Sequence, residues 1–111
     1  IQQLSTGRIV VPFAAWKRPG EVVAPDTGSN YTTAVYSEDG GATWELSASK
    51  LTSPCAAGFN GNNYGAIEPT LLERADGRAW ILMRTQTREL YESFSRDGAQ
   101  WTPAAPSRFL S

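Results

Sequence analysis

Two copies of one short pattern divide the 111-residue chain. The first copy, SEDGGATW, runs from Ser37 to Trp44, and a looser copy, SRDGAQW, runs from Ser95 to Trp101 with one residue fewer. An Asp at a hairpin corner accepts hydrogen bonds from backbone N–H groups two and three residues further on, and the Gly after it adopts a positive φ at little cost. The Trp adds a large apolar surface, so we expect Trp44 to be largely buried.

The repeated pattern is therefore interpreted as a structural turn rather than a catalytic one, because the turn geometry occupies the carboxylate oxygens. The structural residues of the two turns are Ser37, Asp39, Gly41, Trp44, Ser95, Asp97, Gly98 and Trp101.

The segments around the two turns have the composition of β-strands. Val, Ile, Tyr, Thr and Trp are concentrated in short runs, and no ten-residue window has a convincing helical period. Asp76-Gly77 is a strong hairpin signal between two of these runs. The predicted strands are Arg8–Ala15, Tyr31–Ser37, Thr43–Leu46, Ile67–Glu73, Ala79–Arg84 and Leu90–Ser95, with a stub at Trp101. The sequence predicts an all-β meander, with a bulge at Pro12 because proline lacks a donor for the strand ladder.

Composition excludes several classes of function. The 10 Lys and Arg residues against 11 Asp and Glu leave no basic field for nucleic acid or anionic membrane, and no apolar run approaches the roughly 20 residues that span a bilayer. The chain has no His and one Cys, so we expect no zinc site, no internal disulfide and no cofactor. Cys55 is interpreted as a buried or unreactive thiol, and a chain that starts without Met as a piece of a longer polypeptide.

The turns and the residues between them resemble one known family. The pattern S-x-D-x-G-x-T-W at Ser37–Trp44 resembles the Asp-box of bacterial neuraminidase repeats, found in sialidases and sialidase-like β-propellers. Ile67-Glu68-Pro69, followed by Asp76-Gly77 and then Leu82-Met83-Arg84-Thr85, resembles the sialidase segment in which an active-site Glu and Arg lie on adjacent strands. The two aspartates are 58 positions apart, near the roughly 40–50 residues of a propeller blade. The resemblance implies a six-bladed β-propeller, of which this chain supplies about two blades (about 1–48 and about 66–103).

The resemblance also implies an activity. These enzymes are exo-acting glycoside hydrolases that remove terminal sialic acid, or a related acidic sugar, from glycans. They use a Tyr nucleophile, and by resemblance Glu68 is the base that activates it and Arg84 is one of three arginines that bind the substrate carboxylate. The nucleophile Tyr, the acid/base Asp and the other arginines would lie outside this chain. Two alternatives stay open: a non-catalytic Asp-box propeller that binds glycan or protein, and a structural ion pair between Glu68 and Arg84.

Strand alternation predicts where these residues lie. Successive strand ends in a meander fall on opposite sides, so the Asp-boxes and the Asp76-Gly77 turn share one end, and Glu68 and Arg84 share the other. Trp16, Asn63 and Tyr64 fall at that second end and are candidate sugar contacts. Packing beneath the loop 17–30 is an equal alternative for Trp16, and Tyr64 is not assigned as the nucleophile.

The implied partner is a glycan, and the resemblance favours a secreted or periplasmic location. Two blades would leave both flanks uncovered, with Val10, Tyr36, Ile81 and Phe94 facing no neighbour. We therefore expect the isolated chain to self-associate or to belong to a longer chain, and not to hydrolyse sialosides by itself.

Overall fold

The computed structural model describes residues 1–21, 28–54 and 64–108, and within these ranges the chain forms eight β-strands and no helix. The strands are β1 (Gln2–Gln3), β2 (Ile9–Trp16), β3 (Asn30–Ser37), β4 (Glu45–Leu46), β5 (Ile67–Glu73), β6 (Ala79–Arg84), β7 (Tyr91–Ser95) and β8 (Ala105–Pro106). They form two antiparallel sheets, the first in the order β1-β2-β3-β4 and the second in the order β5-β6-β7-β8. The predicted all-β meander is confirmed. Cys55 lies outside the described residues, and those residues contain no helix that spans a membrane.

The predicted bulge at Pro12 is wrong. The β2–β3 pairing is unbroken from Ile9–Ser37 to Trp16–Asn30. Pro12 is accommodated because of the other edge of β2. There β1 pairs only with Ile9 and Val10, the first two residues of β2, so the rest of that edge has no strand partner. A residue without an N–H is tolerated at such an open edge.

The core lies between one face of each sheet. Val10, Ile81 and Met83 are fully buried and belong to one apolar cluster. The other members of the cluster are Leu4, Ala34, Leu51, Ala66, Ala79, Tyr91 and Trp101. The expectation that Val10 and Ile81 lie on uncovered flanks is therefore wrong. Val10 of the first sheet is covered by the second sheet, and Ile81 of the second sheet is covered by the first.

Polar contacts join the two sheets at both ends. At the end that carries the Asp-boxes, the backbone N–H and the hydroxyl of Ser5 donate to the Glu73 carboxylate at 3.0 Å and 2.9 Å. At the opposite end, the Thr32 hydroxyl donates to the Ala66 carbonyl at 3.0 Å. Hydrogen bonds at both ends therefore join the two sheets, in addition to the apolar core between them.

Both Asp-boxes form hydrogen-bonded turns around their Asp, as predicted, although Asp39 bonds to Thr43, four residues further on rather than two or three. Asp39 accepts the Thr43 N–H and the Ser37 hydroxyl, each at 2.8 Å, together with the Thr43 hydroxyl. These bonds, with those from Thr43 the strongest, lower the pKa of Asp39 to about 2. Asp97 accepts the N–H groups of Ala99 at 2.9 Å and Gln100 at 3.0 Å. Partial burial raises the pKa of Asp97, but these bonds outweigh it and the net shift is downward.

The prediction of a buried Trp44 is wrong. Trp44 is 42% exposed, whereas Trp101 in the second box is only 8% exposed. Trp101 lies beside residues 49–52, which follow the first sheet, and its backbone N–H donates to the Ser49 hydroxyl at 3.0 Å. The Ser47 hydroxyl likewise donates to the Ala99 carbonyl at 2.6 Å. A neighbouring sheet, rather than its own hairpin, buries the Trp of a box, and among the described residues Trp44 has no such neighbour.

Candidate functional site

The strand register separates the candidate site from the boxes. Ile67 is paired with Arg84 at one end of the second sheet, and Ala79 is paired with Ser95, the first residue of a box, at the other end. Glu68 therefore lies beside Arg84 and away from the boxes, as strand alternation predicts.

Glu68 and Arg84 form an ion pair at this end. Nη1 of Arg84 donates to Oε1 of Glu68 at 2.8 Å, and the two side chains are 60% (Glu68) and 63% (Arg84) exposed. The hydrogen bond to Glu68, with a smaller contribution from Tyr64, raises the pKa of Arg84. The result is a charged pair that is exposed to solvent.

An irregular backbone brings Glu68 to Arg84. Ile67 and Arg84 are direct partners, so in a regular strand the next residue, Glu68, would point to the opposite face. The register instead shifts between Ile67 and Thr70, and Glu68 has a φ of 52°, in the left-handed region. Pro69 fits this position because β5 is the edge strand of its sheet. Bulges of this kind re-aim side chains, and non-Gly residues with positive φ cluster at functional sites.

Tyr64 packs against the same arginine. The guanidinium carbon of Arg84 lies 5.7 Å from the centre of the Tyr64 ring. The Tyr64 N–H donates to Oε1 of Gln86 at 2.8 Å, and the Tyr64 hydroxyl donates to the Thr85 carbonyl at 3.3 Å. The two residues after Arg84 therefore hold the ring that supports it. Sequence reasoning did not single out Gln86, because no motif marks it.

Of the two other predicted sugar contacts, Trp16 and Asn63, the structure describes only Trp16. Trp16 is paired with Asn30, whose N–H donates to the Tyr64 carbonyl at 3.2 Å, so Trp16 lies at the same end as the ion pair. It is 76% exposed, and within the described residues no hydrogen bond or ring contact joins it to Glu68, Arg84 or Tyr64. Asn63 lies outside the described residues.

Other features of the surface do not converge on this site. Open hollows of about 500 and 550 Å³ lie beside Asp97 and beside Leu72, toward the box end and on the outer face of the second sheet. These hollows are weaker candidates than the ion pair because ligand sites have a few convergent polar groups as well as a concave shape. No three His, Cys, Asp or Glu side chains of the described part come together to hold a metal ion.

Comparison with known proteins identifies the family. Residues 1–110 match the model of the BNR repeat-like domain. The chain belongs to the BNR repeat-like domain family. The resemblance to bacterial neuraminidase repeats drawn from the boxes is thereby confirmed. No curated protein matches this BNR repeat-like chain.

Two solved structures share the fold. The NanB sialidase from Streptococcus pneumoniae matches with a TM-score of 0.63 and 23% identity over 99% of this chain. A protein of unknown function from Dyadobacter fermentans matches with a TM-score of 0.63 and 22% identity over 97% of this chain. The chain spans 14% of the length of the sialidase structure and 27% of the length of the second structure. At this identity the likeness concerns the fold, which is that of a part of these larger proteins.

Proposed function

We propose that this BNR repeat-like chain is a segment of an exo-acting glycoside hydrolase of sialidase type. It would supply about two blades of a six-bladed β-propeller that removes terminal sialic acid, or a related acidic sugar, from glycans. The observation that carries the proposal is the exposed Glu68–Arg84 pair at the end of the sheets opposite the Asp-boxes.

Stability alone does not explain this pair. Exposed ion pairs add little to folding free energy, because water screens the charges and two long side chains must be ordered. Glu68 also adopts a backbone conformation that is unfavourable for an L-residue. A strained residue that makes only an exposed contact is better accounted for by a ligand than by the fold.

The chemistry of the pair fits an acidic sugar. Sialic acid carries a carboxylate on its anomeric carbon, and a guanidinium has five N–H donors in a planar fork that matches a carboxylate. The bond to Glu68 uses one of the nitrogens of Arg84, which leaves other donors for the substrate. The ring of Tyr64 supports the guanidinium from the side.

In the proposed reaction Glu68 acts on a tyrosine. A carboxylate nucleophile would be repelled by the substrate, so a Tyr attacks the anomeric carbon while an Asp protonates the leaving oxygen. A phenol with a pKa near 10 needs a base, and Glu68 accepts its proton. Water then attacks the anomeric carbon while the Asp carboxylate takes its proton, the glycosyl–Tyr bond breaks, and Glu68 returns its proton to the departing phenolate. The Tyr, the Asp and two further arginines come from the polypeptide beyond these 111 residues.

One observation favours a second candidate, a non-catalytic Asp-box propeller that binds glycan or protein. The Glu68 carboxylate is already hydrogen-bonded to Arg84, and the hydroxyl of the neighbouring Tyr64 donates to a carbonyl. In that case Arg84 and the exposed Trp16 bind the ligand and Glu68 only orients the arginine.

The test is turnover of a fluorogenic sialoside by the full-length polypeptide. We expect hydrolysis, and loss of about 100-fold or more in kcat with Glu68→Gln, which keeps the shape of the side chain but removes the base. A full-length protein that binds sialic acid without turnover, and loses binding with Arg84→Ala, would establish the non-catalytic function instead.

A further inference from the structure

Segment 64–66, which leads into β5, is fixed on the first sheet. Its three carbonyls accept, in chain order, hydrogen bonds from the Asn30 N–H at 3.2 Å, the Ser53 hydroxyl at 3.3 Å and the Thr32 hydroxyl at 3.0 Å. Asn30 and Thr32 belong to β3, and residue 65 pairs in parallel with Asn30. The segment therefore takes its position from the first sheet, although it precedes the first strand of the second.

Gly65 determines how closely the segment approaches that sheet. Its φ is +76°, and a Cβ at this position would lie 2.3 Å from the Asn30 carbonyl oxygen and 2.6 Å from Oγ1 of Thr52. Both distances are well inside van der Waals contact, so only glycine allows the backbone to lie this close. The backbone on which Tyr64 is mounted is thus fixed before the tyrosine meets the second sheet.

The Tyr64 N–H faces the second sheet and donates to Oε1 of Gln86 at 2.8 Å. The bond from the Tyr64 hydroxyl to the Thr85 carbonyl is longer, at 3.3 Å. Gln86 lies in a turn that is itself held in place, because the hydroxyl of the buried Thr85 donates to the Glu89 carbonyl at 2.7 Å. The Gln86 side chain therefore makes the shorter of these two links between Tyr64 and the turn that follows Arg84.

Tyr64 in turn limits the positions of Arg84. The guanidinium carbon lies 5.7 Å from the centre of the Tyr64 ring, within the range of a cation–π contact. Arg84 is an exposed side chain with many rotamers, and ordering such a side chain when a ligand binds reduces affinity. A ring that is held through its backbone N–H and its hydroxyl restricts the guanidinium before the ligand arrives.

We infer that Gln86 is a positioning residue for Arg84, because it accepts the Tyr64 N–H and so fixes the ring beside the guanidinium. The inference rests on the proposed function for its ligand, which is the carboxylate of an acidic sugar held by Arg84. Gln86 touches neither the ligand nor the reacting atoms. It therefore determines affinity for the acidic sugar and leaves the chemical step nearly unchanged.

Gln86→Met in the full-length polypeptide tests the inference, because Met keeps the length of the side chain and removes the acceptor. KM for a fluorogenic sialoside should rise roughly threefold to tenfold, the range of one net hydrogen bond, with kcat within about twofold of that of the unchanged protein. In a Tyr64→Ala background the same substitution should leave KM unchanged, since no ring remains to be fixed. Gln100→Met, the same change in the exposed turn at the box end, should alter neither constant.

A readout without substrate separates this inference from the proposed function. The Nε–H resonance of Arg84, assigned by its loss in Arg84→Lys, should shift in Gln86→Met toward its position in Tyr64→Ala, because the ring no longer lies beside it. If the full-length protein binds sialic acid without turnover, the dissociation constant takes the place of KM. Absence of both binding and turnover overturns the proposed function, and the Arg84 resonance then decides the inference.

The same measurements state what would overturn the positioning role. An unmoved Arg84 resonance, an unchanged KM, or a further rise of KM in the Tyr64→Ala background each overturns it. A lower unfolding midpoint with an unchanged KM also overturns it, since that combination indicates a purely structural role for Gln86.

Discussion

The second Asp-box packs closely against the first sheet at Gly98. Its φ is +77°, and a methyl group there would lie 2.7 Å from Cγ2 of Val10 and 3.0 Å from Cδ1 of Leu4. Its counterpart in the first box, Gly40, has a φ of +74° and no atom within 4 Å of the same position. Ala should cost about 1–2 kcal/mol at either site, because an L-residue is forced into the left-handed region. At Gly98 the methyl also meets the fully buried Val10, and overpacking adds about 1–3 kcal/mol.

Urea unfolding followed by tryptophan fluorescence, at one fixed protein concentration, measures the difference. We expect Gly40→Ala to lower the free energy of unfolding by about 1–2 kcal/mol and Gly98→Ala by roughly 2–5 kcal/mol, with unchanged m-values. The two glycines share the same motif position and nearly the same φ, so the difference isolates the packing between sheets. Equal decreases in the free energy of unfolding would refute the reasoning, since Gly98 would then not be tightly packed against the first sheet.

Three further results are expected. Arg84→Lys in the full-length protein keeps the positive charge but loses the planar pair of N–H donors that binds a carboxylate. KM for a sialoside should therefore rise roughly tenfold, with a smaller change in kcat. Tyr64→Phe should leave turnover nearly unchanged, whereas Tyr64→Ala should raise KM, because the ring supports Arg84 and the hydroxyl only donates to a carbonyl. The pKa of Asp39 is lowered from 3.8 to about 2 in the fold, so its carboxylate stabilises the chain above about pH 4 and loses that effect as the pH falls through 2. Acid unfolding followed by circular dichroism should therefore be less steep over that interval in Asp39→Asn.

The long strands were predictable because their sequences combine β-forming residues with strong turn signals. The predicted bounds of β5 and β6 agree with the structure, those of β3 and β7 differ by one residue at one end, and those of β2 differ by one residue at each end. The strands β1 and β8 have two residues each, too few for an alternation to be recognised. Their pairing depends on the neighbouring strand rather than on their own composition.

The exposure of Trp44 was not predictable, because it depends on whether another sheet lies beside the box. A Trp in this motif has the same local sequence in both environments, as the contrast with Trp101 shows. The sequence also does not indicate which face of a sheet is covered by the neighbouring sheet. The burial of Val10 and Ile81 was missed for that reason.

The candidate site was predictable in its charged residues and not in its geometry. Glu68 and Arg84 stand out by spacing and by resemblance, and strand alternation places them at one end. The residue before a proline favours an extended backbone, so the left-handed conformation of Glu68 runs against its local preference. The support of Arg84 by Tyr64 and Gln86 requires a long connection to fold back, and no local pattern reports such a contact.

The central claim is that chemistry and scaffold occupy opposite ends of the sheets. Parallel measurements of kcat/KM and of the unfolding midpoint, on full-length Glu68→Gln and Asp39→Ala, test it most directly. The account predicts that Glu68→Gln loses sialoside turnover with an unchanged midpoint. It predicts that Asp39→Ala lowers the midpoint and keeps turnover at temperatures where the protein is folded. Loss of turnover in Asp39→Ala at an unchanged midpoint, or full turnover in Glu68→Gln, would contradict it.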